Sequence, residues 1–223
     1  MQTYPAQVGS ATQSSALSTN KVLRNTYLLL GATLAFSAAM AGVSMALNLP
    51  SFGLLTILVY FGLLFAVTKT QNSSWGILWT FALTGFLGLT LGPILNMYLK
   101  FLPNGGQIIM LSLGTTAAAF VGLSAYAVKS GRDFSFMGGF LMIGAIGAFV
   151  LGLVAYFFNL PTLSLVVSAM FLIVSGGLML WQTSEIVRGG ETNYISATIT
   201  LYVSIYNMFL SLLNLFGAAS GDD

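Results

Sequence analysis

The chain has 223 residues, 57% of them hydrophobic and 5% charged, with a mean hydropathy of +0.90. A soluble domain carries about 25% charged residues, so seven Lys/Arg and five Asp/Glu exclude a water-soluble globule, and the lack of any basic cluster excludes nucleic-acid binding. The absence of Cys and His excludes disulfides, thiolate or imidazole metal sites, His-ligated haem and any Ser-His or Cys-His pair; only hard oxygen ligands remain for a Ca²⁺-like or proton-linked role.

In chain order, Met1 to Asn20 (MQTYPAQVGSATQSSALSTN) is uncharged and rich in Ser, Thr, Gln and Ala. It lacks an apolar core and periodicity, so residues 1–20 read as a flexible cytoplasmic tail. A signal peptide needs a basic start and then an apolar stretch. Here Lys21 and Arg24 come after the tail, directly before the first hydrophobic run, and insertion without cleavage is expected. Residues 21–223 are expected to form one transmembrane domain.

A spanning helix needs about 20 apolar residues. Seven runs are candidates: Thr26–Leu47, Ser51–Val67, Trp75–Leu99, Gln107–Val128, Phe136–Phe158, Pro161–Gln182 and Tyr194–Ala218, the second being the shortest. Cytoplasmic loops are enriched in Lys and Arg. Seven spans with the N-terminus inside place Lys21, Arg24, Lys69, Lys129, Arg132 and Arg188 on the inner side and only Lys100 on the outer side. The expected fold is therefore an all-α integral membrane protein of seven transmembrane helices, N-terminus cytoplasmic and C-terminus, with Asp222 and Asp223, outside. Asn48-Leu49-Pro50-Ser51 and Asn159-Leu160-Pro161-Thr162 read as two tight outer turns built on the same chemistry.

Lipid gives helices no hydrophobic reason to associate, so small residues mark close packing. Such stripes occur at Ala35, Ala39, Gly42 and Ala46, at Gly85, Gly88 and Gly92, at Gly114, Ala118, Gly122 and Ala125, and at Gly144 and Gly147. Packing within one bundle is the expected use. Gly189-Gly190 is expected to end the sixth helix.

The last two spans also carry polar stripes. Thr200, Ser204, Asn207, Ser211 and Asn214 recur at steps of four and three, and Ser168, Ser175 and Gln182 at steps of seven. Each set falls on one helical face. Polar groups in an apolar setting need partners, so the two seams are expected to face inward. Either they hold the bundle together by interhelical hydrogen bonds, or they line a hydrated path for ions. The one ionisable group near the seam is Glu185, close to the inner interface, with Arg188 at i+3. Val174-Ser175-Gly176-Gly177 and Leu113-Gly114-Thr115-Thr116 set hydroxyls beside glycines, but no general base lies deep in a span. No catalytic residue, metal site or cofactor is expected.

At Gly85-Phe86-Leu87-Gly88-Leu89-Thr90-Leu91-Gly92-Pro93-Ile94-Leu95 the sequence resembles the Bax inhibitor-1 family, which carries a Gly-Pro-x-Leu element in its third span. The likeness continues through Gly114-Thr115-Thr116-Ala117-Ala118-Ala119-Phe120 and Arg132-Asp133-Phe134-Ser135-Phe136-Met137-Gly138-Gly139 and spans Lys21 to Gly217. Leu17-Ser18-Thr19-Asn20-Lys21-Val22-Leu23-Arg24 and Gly189-Gly190-Glu191-Thr192-Asn193-Tyr194-Ile195 look like the bacterial branch of that family. The resemblance implies a multi-pass protein of the bacterial inner (cytoplasmic) membrane that is not an enzyme. It implies binding to, and restraint of, a membrane-anchored AAA protease of FtsH type in membrane protein quality control, alongside the prohibitin-like regulators of that protease. The engaging element would be the tail, here Met1, Gln2, Thr3, Tyr4 and onward to Asn20.

Other members of the family leak Ca²⁺ under the control of paired aspartates in the last two helices. The matching positions here follow Leu180-Trp181 and Leu201-Tyr202-Val203 and hold Gln182 and Ser204, neither of which titrates. A cation leak through the seam between helices six and seven is therefore the alternative reading, without the pH sensor. A Gln-Ser pair is expected to hydrogen-bond at any pH.

Overall fold

The computed structural model describes the backbone of residues 8–220 and the side chains of Thr19 and residues 21–220. Its elements are α1 (Val8–Ala46), α2 (Leu55–Thr70), α3 (Trp75–Phe101), α4 (Gly105–Ser130), α5 (Met137–Phe157), α6 (Pro161–Arg188) and α7 (Tyr194–Ser220), with no strand among the described residues. Six of the seven are long and apolar enough to cross a membrane. The exception is α2, whose 16 residues reach about 24 Å at 1.5 Å per residue, short of the ~30 Å hydrocarbon core.

α1 differs from expectation at its start. The helix begins at Val8 and runs without a break past Lys21, because nothing after Gly9 interrupts it and Ala, Gln and Leu are good helix formers. Residues 1–7 and 221–223, and so Met1, Gln2, Thr3, Tyr4, Asp222 and Asp223, lie outside the described residues.

The turns follow from left-handed residues. Asn48 and Asn159 have φ of +48° and +50°, which Asn tolerates better than most side chains. At the end of α1 the Asn48 N–H donates to the Met45 carbonyl and the Leu49 N–H to Ser44. At the end of α5 the Asn159 N–H donates to Tyr156 and the Leu160 N–H to Ala155. Both are Schellman caps, so the two Asn-Leu-Pro turns do share one chemistry. Gly189, at φ +79°, closes α6 the same way.

α7 lies at the centre, against α1, α3, α4 and α6, while α5 packs on α6 and α2 on α3. Half of the apolar span of α7 is buried against 17% for α5, which separates the central helix from the peripheral one. With neighbours on every side, α7 has no broad lipid face.

The tightest approach is between α1 and α3. A Cβ at Gly88 would strike the Ser37 backbone carbonyl, one at Gly92 the Ser44 side chain, and one at Gly85 the Phe36 ring. The α3 glycines are thus packing residues, as is Gly144 beside Val174. The other small-residue stripes are a correction. Ala35, Ala39, Gly42 and Ala46 on α1 are exposed, as are Gly114, Ala118, Gly122 and Ala125 on α4. The buried face of α1 is instead Thr26, Leu30, Thr33, Ser37, Ala41 and Ser44. Of its hydroxyls Ser37 meets the Tyr202 hydroxyl and Ser44 the Leu89 carbonyl, while Thr33 bonds back to the Leu30 carbonyl of its own helix; alanine and glycine lose little by facing lipid.

Charge separates along the bundle axis. Arg188 pairs with Asp133, and Asn193 bonds the loop between α2 and α3, which gathers Lys69, Arg132, Arg188 and the start of α7 at one end. Lys100 bonds Asn48 at the opposite end.

Candidate functional site

The polar groups of the interior fall into a network around α7, the seam between α6 and α7, and a cluster at the charged end.

The network joins α1, α3 and α7. Tyr202 is 1% exposed; its hydroxyl lies 2.6 Å from Ser37 Oγ and donates to the Thr84 carbonyl at 3.2 Å. Tyr206 and Thr90 share a 2.7 Å hydrogen bond, and the two tyrosine rings stack at 6.3 Å. Thr198 Oγ1 donates to the Tyr194 carbonyl and reaches the Thr26 carbonyl. The periodicity of α7 puts Tyr202 and Tyr206 off the polar face, so the sequence reading missed them. The hydroxyl run Thr26, Thr33, Ser37 and Ser44 on α1 was the available signal.

Pro93 explains another contact. Proline has no N–H for the carbonyl four residues earlier, which here belongs to Leu89 inside α3. Ser44 Oγ donates to that carbonyl at 2.7 Å from α1. A freed backbone group in a membrane helix must find such a partner. The Gly-Pro pair therefore works as a unit, with Gly92 letting Ser44 come close and Pro93 creating the acceptor it serves.

In the seam, Ser168 and Asn214 are brought together. Asn214 Nδ2 donates to Ser168 Oγ at 2.8 Å and to Ser164 Oγ at 3.2 Å. This ties α6 to α7 by side chains, as expected of inward-facing stripes. Thr200 and Ser204 instead donate back along their own helix, to the Ser196 and Thr200 carbonyls. Ser211 is buried and Asn207 half-buried. Gln182 is 2% and Ser204 1% exposed, yet the expected bond between them is not formed. Ser204 Oγ is committed to its own helix, and Gln182 Nε2 has no partner among the described residues. Ser175 Oγ and Thr183 Oγ1 are likewise buried and unpartnered among those residues.

At the charged end Arg188 Nη2 lies 3.0 Å from Asp133 Oδ2, so its ion pair is with the α4–α5 loop rather than with Glu185. The Ser135 backbone N–H and side chain, and then the Arg188 charge, hold the Asp133 carboxyl below its usual range. Ser184 Oγ donates to the Arg132 carbonyl. The Glu185 backbone carbonyl receives the N–H groups of Gly190 and Glu191 at the end of α6. Asn193 caps α7, its Oδ1 accepting from the Ile195 and Ser196 N–H groups, while its Nδ2 donates to the Gln71 carbonyl and to Asn72. The segment from Gly189 to Ile195 is thus a helix stop, a helix start and a clamp on the neighbouring loop.

A family model described as "Inhibitor of apoptosis-promoting Bax1" matches residues 19–221. The chain belongs to the Bax inhibitor-1 family. Within it, "Modulator of FtsH protease YccA" of Escherichia coli K12 is 52% identical over 212 residues, covering 94% of this chain and 95% of the relative. A relative from Escherichia coli O6:H1, called "Inner membrane protein YccA", has the same identity and coverage. An uncharacterized protein of Pseudomonas aeruginosa is 52% identical over 203 residues, 91% of each chain. This Bax inhibitor-1 family chain is a multi-pass inner-membrane protein, consistent with its six long apolar helices.

Proposed function

We propose that this chain restrains a membrane-anchored AAA protease of FtsH type, and that it does so as a slow substrate rather than as an enzyme. The observation that carries the reading is the 52% identity over 94% of the chain to a protein named as a modulator of the FtsH protease. The tail from Met1 to Asn20, on the cytoplasmic side, is the handle, with the C-terminus outside and seven helices spanning, the 16-residue α2 through local thinning of the bilayer. The segregation of Lys69, Arg132 and Arg188 from Lys100 supports that orientation. Prohibitin-like regulators of the protease are the expected companions.

The geometry supplies a physical reason for slow extraction. A motor that pulls on the N-terminus loads α1 first, since that helix continues from Val8 into the bundle. α1 is held by Ser37 on Tyr202, by Ser44 on the Leu89 carbonyl, and by backbone approach at Gly88. In lipid an interhelical hydrogen bond is worth roughly 0.6 kcal/mol on average and up to ~1.7, and several on one helix break together. The test is the rate at which purified protease in lipid degrades an unrelated membrane substrate. The full-length protein should slow it and a version lacking residues 1–20 should not. Equal rates with and without the full-length protein would sink the proposal.

A second reading, a cation leak along the α6–α7 seam, is favoured by the unpartnered Ser175 and Gln182. It is opposed by the Ser168–Asn214 contact that closes the seam further along. Flux in proteoliposomes separates the two, with Gln182→Asp plus Ser204→Asp as the gain-of-sensor comparison. Steep pH-gated flux from the unmutated chain would favour the leak.

A further inference from the structure

At the end of the bundle opposite the charged cluster, Asn48, Leu49, Pro93, Asn96, Met97, Lys100 and Phe101 line a cavity of about 220 Å³. We propose that it binds the phosphodiester head group of a membrane phospholipid, with Lys100 as the anchoring cation. The proposal stands apart from the protease reading.

Two ridges of α3 meet in this cavity. Asn96 and Lys100, four residues apart, form a polar one; Pro93, Met97 and Phe101, also at steps of four, form an apolar one. Side chains at this spacing lie one above the other on a helix. The cavity is therefore amphipathic along its length, as a ligand with a charged head and an apolar body requires. Phe101 is 78% exposed and Met97 51%, which leaves apolar surface for an acyl chain beside the polar ridge.

The polar side is held in place before any ligand arrives. Lys100 Nζ donates to Asn48 Oδ1 at 3.0 Å, and Asn48 is fixed by its left-handed backbone. Asn96 Nδ2 donates to the Met45 carbonyl at 3.1 Å and reaches Asn48 Oδ1. An ammonium carries three N–H donors, and Asn48 takes one, leaving two for phosphate oxygens. The carbonyl ends of α1 and α3 would otherwise repel an anion. Here the Ser44, Met45 and Tyr98 carbonyls already accept the N–H groups of Leu49, Asn48 and Leu102. Among the described residues every carboxylate (Asp133, Glu185 and Glu191) belongs to the other end, at or beside the Asp133–Arg188 pair; Asp222 and Asp223, expected on the Lys100 side, lie outside the described residues. Lysine at a membrane boundary normally extends its charge to the head-group layer, and here that charge lies in an open groove beside Asn48 and Asn96.

The test uses the full-length protein in non-ionic detergent, titrated with short-chain phosphatidylglycerol and followed by native mass spectrometry. Parallel titrations use a short-chain diacylglycerol and inorganic phosphate. Phosphatidylglycerol should fill a saturable site, and Lys100→Gln should weaken it about fivefold, the factor matching ~1 kcal/mol per basic residue near anionic lipid. Lys69→Gln, at the other end, should leave it unchanged. If Lys100→Gln is misfolded, Lys100→Arg should keep the affinity and Asn96→Asp should lower it. Unchanged affinity in both Lys100→Gln and Asn96→Asp overturns the proposal. Equal binding of diacylglycerol overturns it as well, because the head group is then not read. Displacement by millimolar inorganic phosphate also overturns it, assigning the site to a free anion instead of a lipid.

Discussion

Ser44 on α1 donates a 2.7 Å hydrogen bond to the Leu89 carbonyl of α3, the acceptor that Pro93 leaves without its helical N–H. One residue breaks the hydrogen-bond ladder of a membrane helix, and a hydroxyl from the neighbouring helix completes it. The pairing predicts a coupling. Ser44→Ala should destabilise the bundle by about 1 kcal/mol and by no more than ~2, as expected for a carbonyl left unpaired away from water. In the Pro93→Ala background, where the substituted residue supplies the missing N–H, the same change should cost much less. Reversible unfolding in mixed detergent micelles measures all four corners of the cycle; additive effects would refute the coupling.

Glycine substitutions should separate packed from lipid-facing positions. Gly88→Ala pushes a Cβ against the Ser37 backbone carbonyl, which is not free to move as a side chain end would be. A loss of about 1–3 kcal/mol is expected for such overpacking. Gly122→Ala meets nothing within 4 Å and should stay within about 0.5 kcal/mol of the unmutated chain, typical of a surface change. Equal losses at the two positions would mean that the exposed face of α4 is covered in the membrane.

The buried amide of Gln182 makes an inverse prediction. Its Nε2 is buried without a partner among the described residues, and an unsatisfied donor costs about 1–3 kcal/mol. Gln182→Met, similar in size and apolar, should raise the midpoint of thermal unfolding. A lowered midpoint would show that the amide is satisfied in the membrane, by water in the seam.

The Asp133 carboxyl gives a pH dependence with a defined sign. Its pKa is lowered in the folded protein from the ordinary value of 3.8, first by the Ser135 backbone N–H. A depressed carboxylate contributes stability above its unfolded pKa and loses it as pH falls through the folded one. Protection of the Ser135 amide, which donates to the Asp133 carboxylate, against hydrogen exchange, corrected for intrinsic rates, should therefore hold at neutral pH and fall only below the ordinary carboxylate range. Asp133→Asn should abolish the change. Since both partners of the Arg188 pair are nearly half exposed, the effect is local and global stability should barely move.

The amino-acid sequence by itself determined that this is a helical membrane protein, because 5% charged residues cannot solvate a chain of 223. Run length and loop charge located the helices, and the family followed from Gly92-Pro93-Ile94-Leu95 and its neighbouring motifs. The turns were legible too, since Asn-Leu-Pro and Gly-Gly have few backbone choices. Only the tertiary structure decided which helical faces meet. Small residues pack equally well against lipid or protein, so Gly88 is buried while Gly122 is exposed, although each belongs to the same kind of stripe. Tyr202 is apolar on three sides and polar at its tip, and periodicity cannot say where that tip finds a partner. The answer depends on Ser37, 165 residues away in sequence, and on the central position that leaves α7 no outward face. The α6–α7 seam divided for the same reason. Asn214 met Ser168 across the helices, while Ser204 bonded to the Thr200 carbonyl of its own helix, because a short hydroxyl can reach the carbonyl four residues earlier and a longer amide can reach across to a neighbour.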